Sequence, residues 1–138
     1  MIRISKLTDY ALVILAFLSK EPLQFAQAGD IALNTKINKP TTAKVLKTLA
    51  RHGLLESCRG STGGYRVTKL LADISVAEIV QILEGPMAIM GCSLGQEHCA
   101  ISESCEIRAP WNKINQVIIK ALETVKLSDL LPLRGEAL

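Results

Sequence analysis

Aromatic residues are scarce in this chain: two Phe, two Tyr and one Trp in 138 residues. Yet 49% of it is apolar, so a core must be built from Leu, Ile, Val and Ala. That composition suits helices packed on helices better than a β-sandwich. Long apolar runs are missing too. The longest, Tyr10 to Leu18, is bounded by Asp9 and Lys20 and is too short to span a bilayer, so no membrane partner is expected. The N-terminus shows no succession of basic segment, apolar segment and small-residue cleavage site, as a secretory leader would, and a cytoplasmic protein is expected. A phosphate-binding glycine loop and a helical His-x-x-x-His are also absent. The two histidines, His52 and His98, have no evident Ser or Asp partner. Nothing supports catalysis, and no enzyme is expected.

Charge is uneven along the chain. Residues 1–68 carry ten basic and four acidic groups, a net +6, whereas residues 69–138 carry six and nine, a net −3. A basic half joined to an acidic half fits a polyanion-binding module attached to something else. Charge clusters of this size also occur on ordinary soluble surfaces.

The basic half reads as three helices and a hairpin. Leu7, Tyr10, Ala11, Ile14, Leu15, Phe17 and Leu18 recur at helical spacing, and Glu21-Pro22 ends that helix. A short second helix fits Ala26 to Leu33. After a turn at Asn34-Thr35, Asn38-Lys39-Pro40 opens a third, with proline near its first position. The third runs to Arg51-His52, with Val45, Leu46 and Leu49 as its apolar stripe and Thr41, Lys44, Thr48 and Arg51 on another face beside Lys47. His52 would end it, where a cation is favoured. Two helices, a tight turn and a basic third helix form a helix-turn-helix pattern. A strand over Leu54–Cys58, a turn over Arg59–Gly64 and a strand over Tyr65–Thr68 would follow it as a wing. Glycines there permit close backbone approach to phosphate, and Arg59 and Arg66 flank the tip. The expected DNA contacts are Thr41, Thr42, Lys44, Lys47, Thr48 and Arg51 on the helix, with Arg59, Ser61, Gly63 and Tyr65 on the wing.

The acidic half opens on a capping box, Ser75 with Glu78, before the apolar face Val76, Ile79, Val80 and Leu83. Gly85-Pro86 stops that helix. Met87 to Ala109 shows no sustained period, and a loop of that length inside a small domain usually has a function. A last helix is expected from Pro110. On it Trp111, Ile114, Ile118, Ala121 and Val125 form a seam, widened by Val117 and Leu122, that suits either intramolecular packing or a coiled-coil-like dimer.

Cys92, Cys99 and Cys105 lie in that loop, with six and then five residues between them. Cytoplasmic proteins rarely keep structural disulfides, so the cluster points to metal or redox chemistry. The spacing is wider than the Cys-x-x-Cys knuckles of common zinc modules. Three well-separated thiolates can wrap an iron–sulfur cluster and leave one position for another ligand. Ordinary free thiols and a structural zinc site are the competing readings. Cys58, in a wing strand, reads as a small buried hydrophobe.

With these pieces in place, the chain resembles the Rrf-two family of bacterial winged-helix regulators, with IscR-like and NsrR-like branches. The matching segments are Lys6-Leu7-Thr8-Asp9-Tyr10-Ala11-Leu12, Gly53-Leu54-Leu55, Arg59-Gly60-Ser61-Thr62-Gly63-Gly64-Tyr65, the cysteine loop and Trp111. Ala109-Pro110-Trp111 after the loop looks most like members that regulate the Suf iron–sulfur assembly system. The resemblance implies a 2Fe–2S or 4Fe–4S cluster on Cys92, Cys99 and Cys105. IscR-like members place a histidine where this chain has Arg108, which cannot ligate iron. NsrR-like members take a carboxylate from the partner subunit's first helix, and Asp9 occupies that place here. His98 is the other candidate fourth ligand. An acid in a helix's first turn is also favoured without any ligand role.

The expectation is therefore a mainly α protein. It comprises a winged helix-turn-helix domain (1–70), a linking helix and cluster-binding loop (71–108), a dimerisation helix (109–127) and a flexible tail (128–138). Its expected function is a cluster-sensing transcriptional regulator, most simply a repressor of iron–sulfur assembly or redox and nitric-oxide stress genes. It would bind a double-stranded operator as a homodimer. The alternative is a cluster-binding electron carrier whose basic half docks an acidic protein.

Overall fold

The computed structural model describes residues 3–94 and 99–131. Helix α1 spans Lys6–Leu18, α2 Ala28–Thr35 and α3 Lys39–Arg51. Strands β1 (Leu55–Cys58) and β2 (Gly64–Val67) follow, then α4 (Val76–Glu84), α5 (Arg108–Thr124) and α6 (Leu127–Leu130). Short 3₁₀ turns occupy Leu71–Asp73 and Gly91–Leu94. The arrangement is mainly helical with one two-stranded antiparallel sheet, as the sequence pattern predicts.

Helices α1 and α3 start where their caps dictate. The Ser5 hydroxyl accepts the Thr8 N–H at the start of α1, and Asn38 Oδ1 accepts the Thr41 N–H at 2.9 Å ahead of α3. These side chains satisfy backbone donors that the first turn leaves unpaired. Ile14, Leu15, Ile31, Val45, Leu46, Leu49, Leu54, Ile74 and Ile79 are completely buried together. The core thus lies between α1, α3 and α4, and aliphatic side chains fill it. Ser75 caps α4 through the Glu78 N–H at 3.1 Å, but the capping box is not reciprocal: the Glu78 carboxylate bonds Lys69 Nζ at 3.2 Å.

Several expected boundaries move. α2 begins at Ala28 and not at Ala26, because Ala26 pairs with Tyr65 as a short third rung of the wing. Ala26 N–H donates to the Tyr65 carbonyl at 2.9 Å and the reverse bond measures 2.8 Å. α5 begins two residues before Pro110; proline is tolerated in a first turn whose N–H groups are unpaired anyway. The tail expected from 128 is partly ordered. Leu127 is buried in the core, its N–H donating to the Ile74 carbonyl at 2.9 Å while Val76 N–H reaches the Val125 carbonyl at 2.9 Å. The Asp129 carboxylate accepts the Lys126 N–H at 2.9 Å and starts α6. Residues 132–138 lie outside the described residues. No described helix is long and apolar enough to cross a membrane.

Candidate functional site

The recognition helix presents one side to the core and one to solvent. Val45, Leu46 and Leu49 face inward, and Lys44, Lys47 and Arg51 are exposed. Thr41 and Thr48 are half-buried; the Thr48 hydroxyl donates to the Lys44 carbonyl at 2.8 Å. Thr42 corrects the expected contact set. It is fully buried, its hydroxyl pointing back to the Ile37 carbonyl, and it stands at the spacing that completes the stripe Val45, Leu46, Leu49. The tight turn before α3 is made by Lys36, a non-glycine residue in the left-handed region with φ of 61°. His52 ends the helix with its Nδ1–H donating to the Thr48 carbonyl at 2.9 Å.

The wing pairs Leu55 with Val67, Glu56 with Arg66, Ser57 with Tyr65 and Cys58 with Gly64. Two glycines make its tip. A side chain at Gly63 would collide with the Cys58 carbonyl. One at Gly64, whose φ is 128°, would meet the Ala26 carbonyl. Gly63 is therefore a turn residue, buried in the hairpin, and not an accessible contact. Arg59 and Ser61 are exposed at the tip, and Tyr65 is half-buried against the core.

Arg66 is not free to reach phosphate. It donates from Nε to Glu56 Oε2 at 2.8 Å, lies near the Leu23 carbonyl, and stacks 4.5 Å from the Phe25 ring centroid. Its role is to fasten the α1–α2 connection to the wing. Sequence reasoning also passed over Gln27, which donates from Nε2 to the Ser61 carbonyl at 2.7 Å and ties α2 to the wing tip. Its place immediately before α2 was the available signal. Lys39, exposed at the first position of α3, was overlooked as well, although recognition helices lead with their N-terminal residues.

The four cysteines are free thiols. Cys58 is exposed on β1 and so is not the buried hydrophobe expected. Cys92 and Cys105 are half-buried and Cys99 is exposed. Among the described residues no three His, Cys, Asp or Glu side chains are gathered closely enough to hold a metal ion. The three loop thiols are thus on one segment but not drawn into one ligand set. His98 lies outside the described residues. Asp9 is exposed on the first turn of α1 and lines a groove of about 480 Å³ with Val13, Ala16, Lys20 and Leu130. Arg108 is the first residue of α5 and is exposed.

α4 and α1 meet at a polar latch. Glu84 Oε1 accepts the Ser5 N–H at 2.6 Å and the Thr8 hydroxyl at 2.7 Å. Burial pushes the Glu84 carboxyl up, but these hydrogen bonds outweigh it and hold its pKa below the usual glutamate value.

Residues 4–132 match the Rrf2 model, described as an iron-dependent transcriptional regulator. The chain belongs to the Rrf2 family. A relative, the HTH-type transcriptional regulator NsrR of Oceanobacillus iheyensis, is 31% identical over 98% of this chain and 93% of its own length. The structure of CymR, the global cysteine regulator of B. subtilis, superposes with a TM-score of 0.73 at 26% identity, covering 94% of this chain and 96% of that one. T. potens IscR shares the fold, with a TM-score of 0.65 at 22% identity over 94% and 85% of the two chains. This Rrf2 protein is therefore a DNA-binding transcriptional regulator and not an enzyme.

Proposed function

We propose that this Rrf2 regulator binds its operator as a homodimer through α3 and the wing, and that Cys92, Cys99 and Cys105 hold an iron–sulfur cluster that sets the affinity. The observation that carries this reading is the placement of three unpaired thiols outside the core, on the segment leading into a helix that has no buried residue. The donor set fits the group. Three thiolates are the soft ligands iron–sulfur clusters require, and none is committed to a disulfide. A bound cluster would supply a redox-active, oxidant-labile centre. The family's description as iron-dependent agrees with this.

Lys44, Lys47, Arg51 and Arg59 supply the positive face that phosphates need, while Thr41, Thr48, Ser61 and Tyr65 line it. α5 supplies the dimer face: Ile114 is 46% and Val117 62% exposed, beside half-buried Trp111. Solvent-facing apolar residues at that spacing call for a second helix. Asp9 is the favoured fourth ligand. Its groove is walled by α1, α2 and α6 and includes no cysteine, so its carboxylate would reach the loop of a second copy. A regulator of DNA acts in the cytoplasm, and that location is part of the same reading.

Anaerobically purified protein should show visible charge-transfer absorption with stoichiometric iron and sulfide. A Cys92→Ala/Cys99→Ala/Cys105→Ala variant should lose both yet remain a folded dimer, and Cys58→Ala should keep them. Asp9→Ala should retain iron with a changed spectrum. Full iron and sulfide in the triple variant would remove the ligand assignment. A sequence-specific, salt-dependent gel shift tests the DNA half of the reading separately.

A further inference from the structure

Asn112 and Asn115 lie three residues apart on α5 and so share a face. Asparagine is a weak helix former, and the helix itself has no need of two. Both side chains reach the segment that leads into the cysteine loop. Asn115 Oδ1 accepts the Ile89 N–H at 3.0 Å, and its Nδ2 donates to the Met87 carbonyl at 3.4 Å. Asn112 Oδ1 accepts the Ser93 hydroxyl at 2.7 Å. Ser93 directly follows Cys92. The Asn115 carboxamide thus does for residues 87–89 what a neighbouring strand would, taking up one backbone N–H and one C=O of an irregular stretch.

The surroundings of the other two thiols differ. Near Cys99 the described hydrogen bonds stay within its own turn: Ser102 N–H to the Cys99 carbonyl at 3.0 Å, and Ser104 N–H to the Ile101 carbonyl at 3.1 Å. Cys105 stands three residues before Arg108, where α5 begins. Among the described residues, Cys92 is therefore held to α5 by side chains and Cys105 by chain connection.

We propose that Asn112 and Asn115 are positioning residues: they staple Met87–Ser93 to α5 and preset Cys92 against that helix. The inference rests on the ligand reading above. Because the carboxamides are neutral, the staple holds across the pH range in which thiols ionise. It also makes α5 the element on which two of the three thiols ride.

Two measurements test it. In the metal-free, reduced full-length protein, alkylation of each thiol by iodoacetamide is followed by mass spectrometry. Asn112→Ala and Ser93→Ala should each speed Cys92 modification about fivefold, the worth of one net hydrogen bond. The double variant should be no faster than either single one. Cys99 and Cys105 should stay at their original rates, and Asn112→Asp, which keeps an acceptor oxygen, should restore the wild-type Cys92 rate. After anaerobic reconstitution with iron and sulfide, Asn112→Ala should release iron to a chelator about fivefold faster, with an altered visible spectrum. An unchanged Cys92 rate, or equal acceleration of all three thiols, overturns the staple. If wild-type protein takes up no iron and sulfide while the Cys92 effect is present, the ligand reading has failed and the staple survives as a loop anchor alone.

Discussion

The two halves of this regulator are held together by different means. From α1 to α4, aliphatic side chains from several helices meet in one core, and Ile14, Leu46 and Ile79 are completely buried there. From Met87 to Thr124 no residue is buried among those described: Met87 and Leu122 pack only on the edge of the core, and carboxamide and hydroxyl bonds tie the start of the segment to α5. A core of the first kind has one arrangement, because displacing any member opens a void. A segment of the second kind can exchange its few polar partners for others at small cost, each net bond being worth about 1 kcal/mol. Stability is concentrated in the winged helix, and adaptability in the segment proposed to hold the cluster.

Four substitutions sharpen that contrast, beginning with the largest effect. Leu46→Ala should destabilise the monomer by about 2–5 kcal/mol, whereas Val117→Ala, at an exposed site, should change monomer stability by no more than about 0.5 kcal/mol yet weaken self-association. Denaturant unfolding combined with sedimentation checks both, and comparable losses of stability would erase the distinction between the halves. Next, Arg59→Ala should cost about 1–3 kcal/mol in operator affinity if it reads a base edge. Lys44→Ala should instead weaken binding evenly across sequences and reduce the salt slope by about one unit. Neither should alter the thiol reactivities, since both residues lie in the winged helix; unchanged affinity in both would remove the helix-and-wing docking.

The smallest effect concerns the latch between α4 and the start of α1. The folded pKa of Glu84 lies below the usual value, so its carboxylate contributes stability above the unfolded pKa, and that contribution is lost as pH falls through the lowered folded value. Thermal unfolding of wild type and Glu84→Gln should therefore differ at neutral pH and converge in acid. A difference that grows on acidification would contradict the latch.

The caps Asn38 and Ser75, the apolar stripes of α1, α3 and α4, and the glycine-marked wing were all readable from sequence because each depends on residues within one or two turns. What was missed depends on distant partners. Ala26 leaves α2 because Tyr65, far along the chain, offers it a backbone pair. Leu127 joins the core because Ile74 presents a free carbonyl, and a four-residue helix is too short to show a period. Arg66 looked like a phosphate ligand until Phe25 and Glu56 were found on either side of it. Thr42 is a different failure, since its spacing did place it with Val45, Leu46 and Leu49, and its hydroxyl disguised it. The three loop cysteines were visible from the start, but their separation in space was not, because no local pattern sets it.

The Ile74–Leu127 contact pins the far end of α5 to the winged-helix core, while Asn112 and Asn115 near its other end bond the segment before the cysteines. Seventeen helical residues span about 25 Å at 1.5 Å per residue. Were a helix of that length to pivot at Val125–Lys126, a tilt of about 10° would sweep its other end by about 4 Å. The same leverage would run in reverse: a displacement of a few ångströms where the thiols sit would become a rotation of a few degrees at the base. Two copies joined along such helices would change the spacing of their recognition helices without either core rearranging.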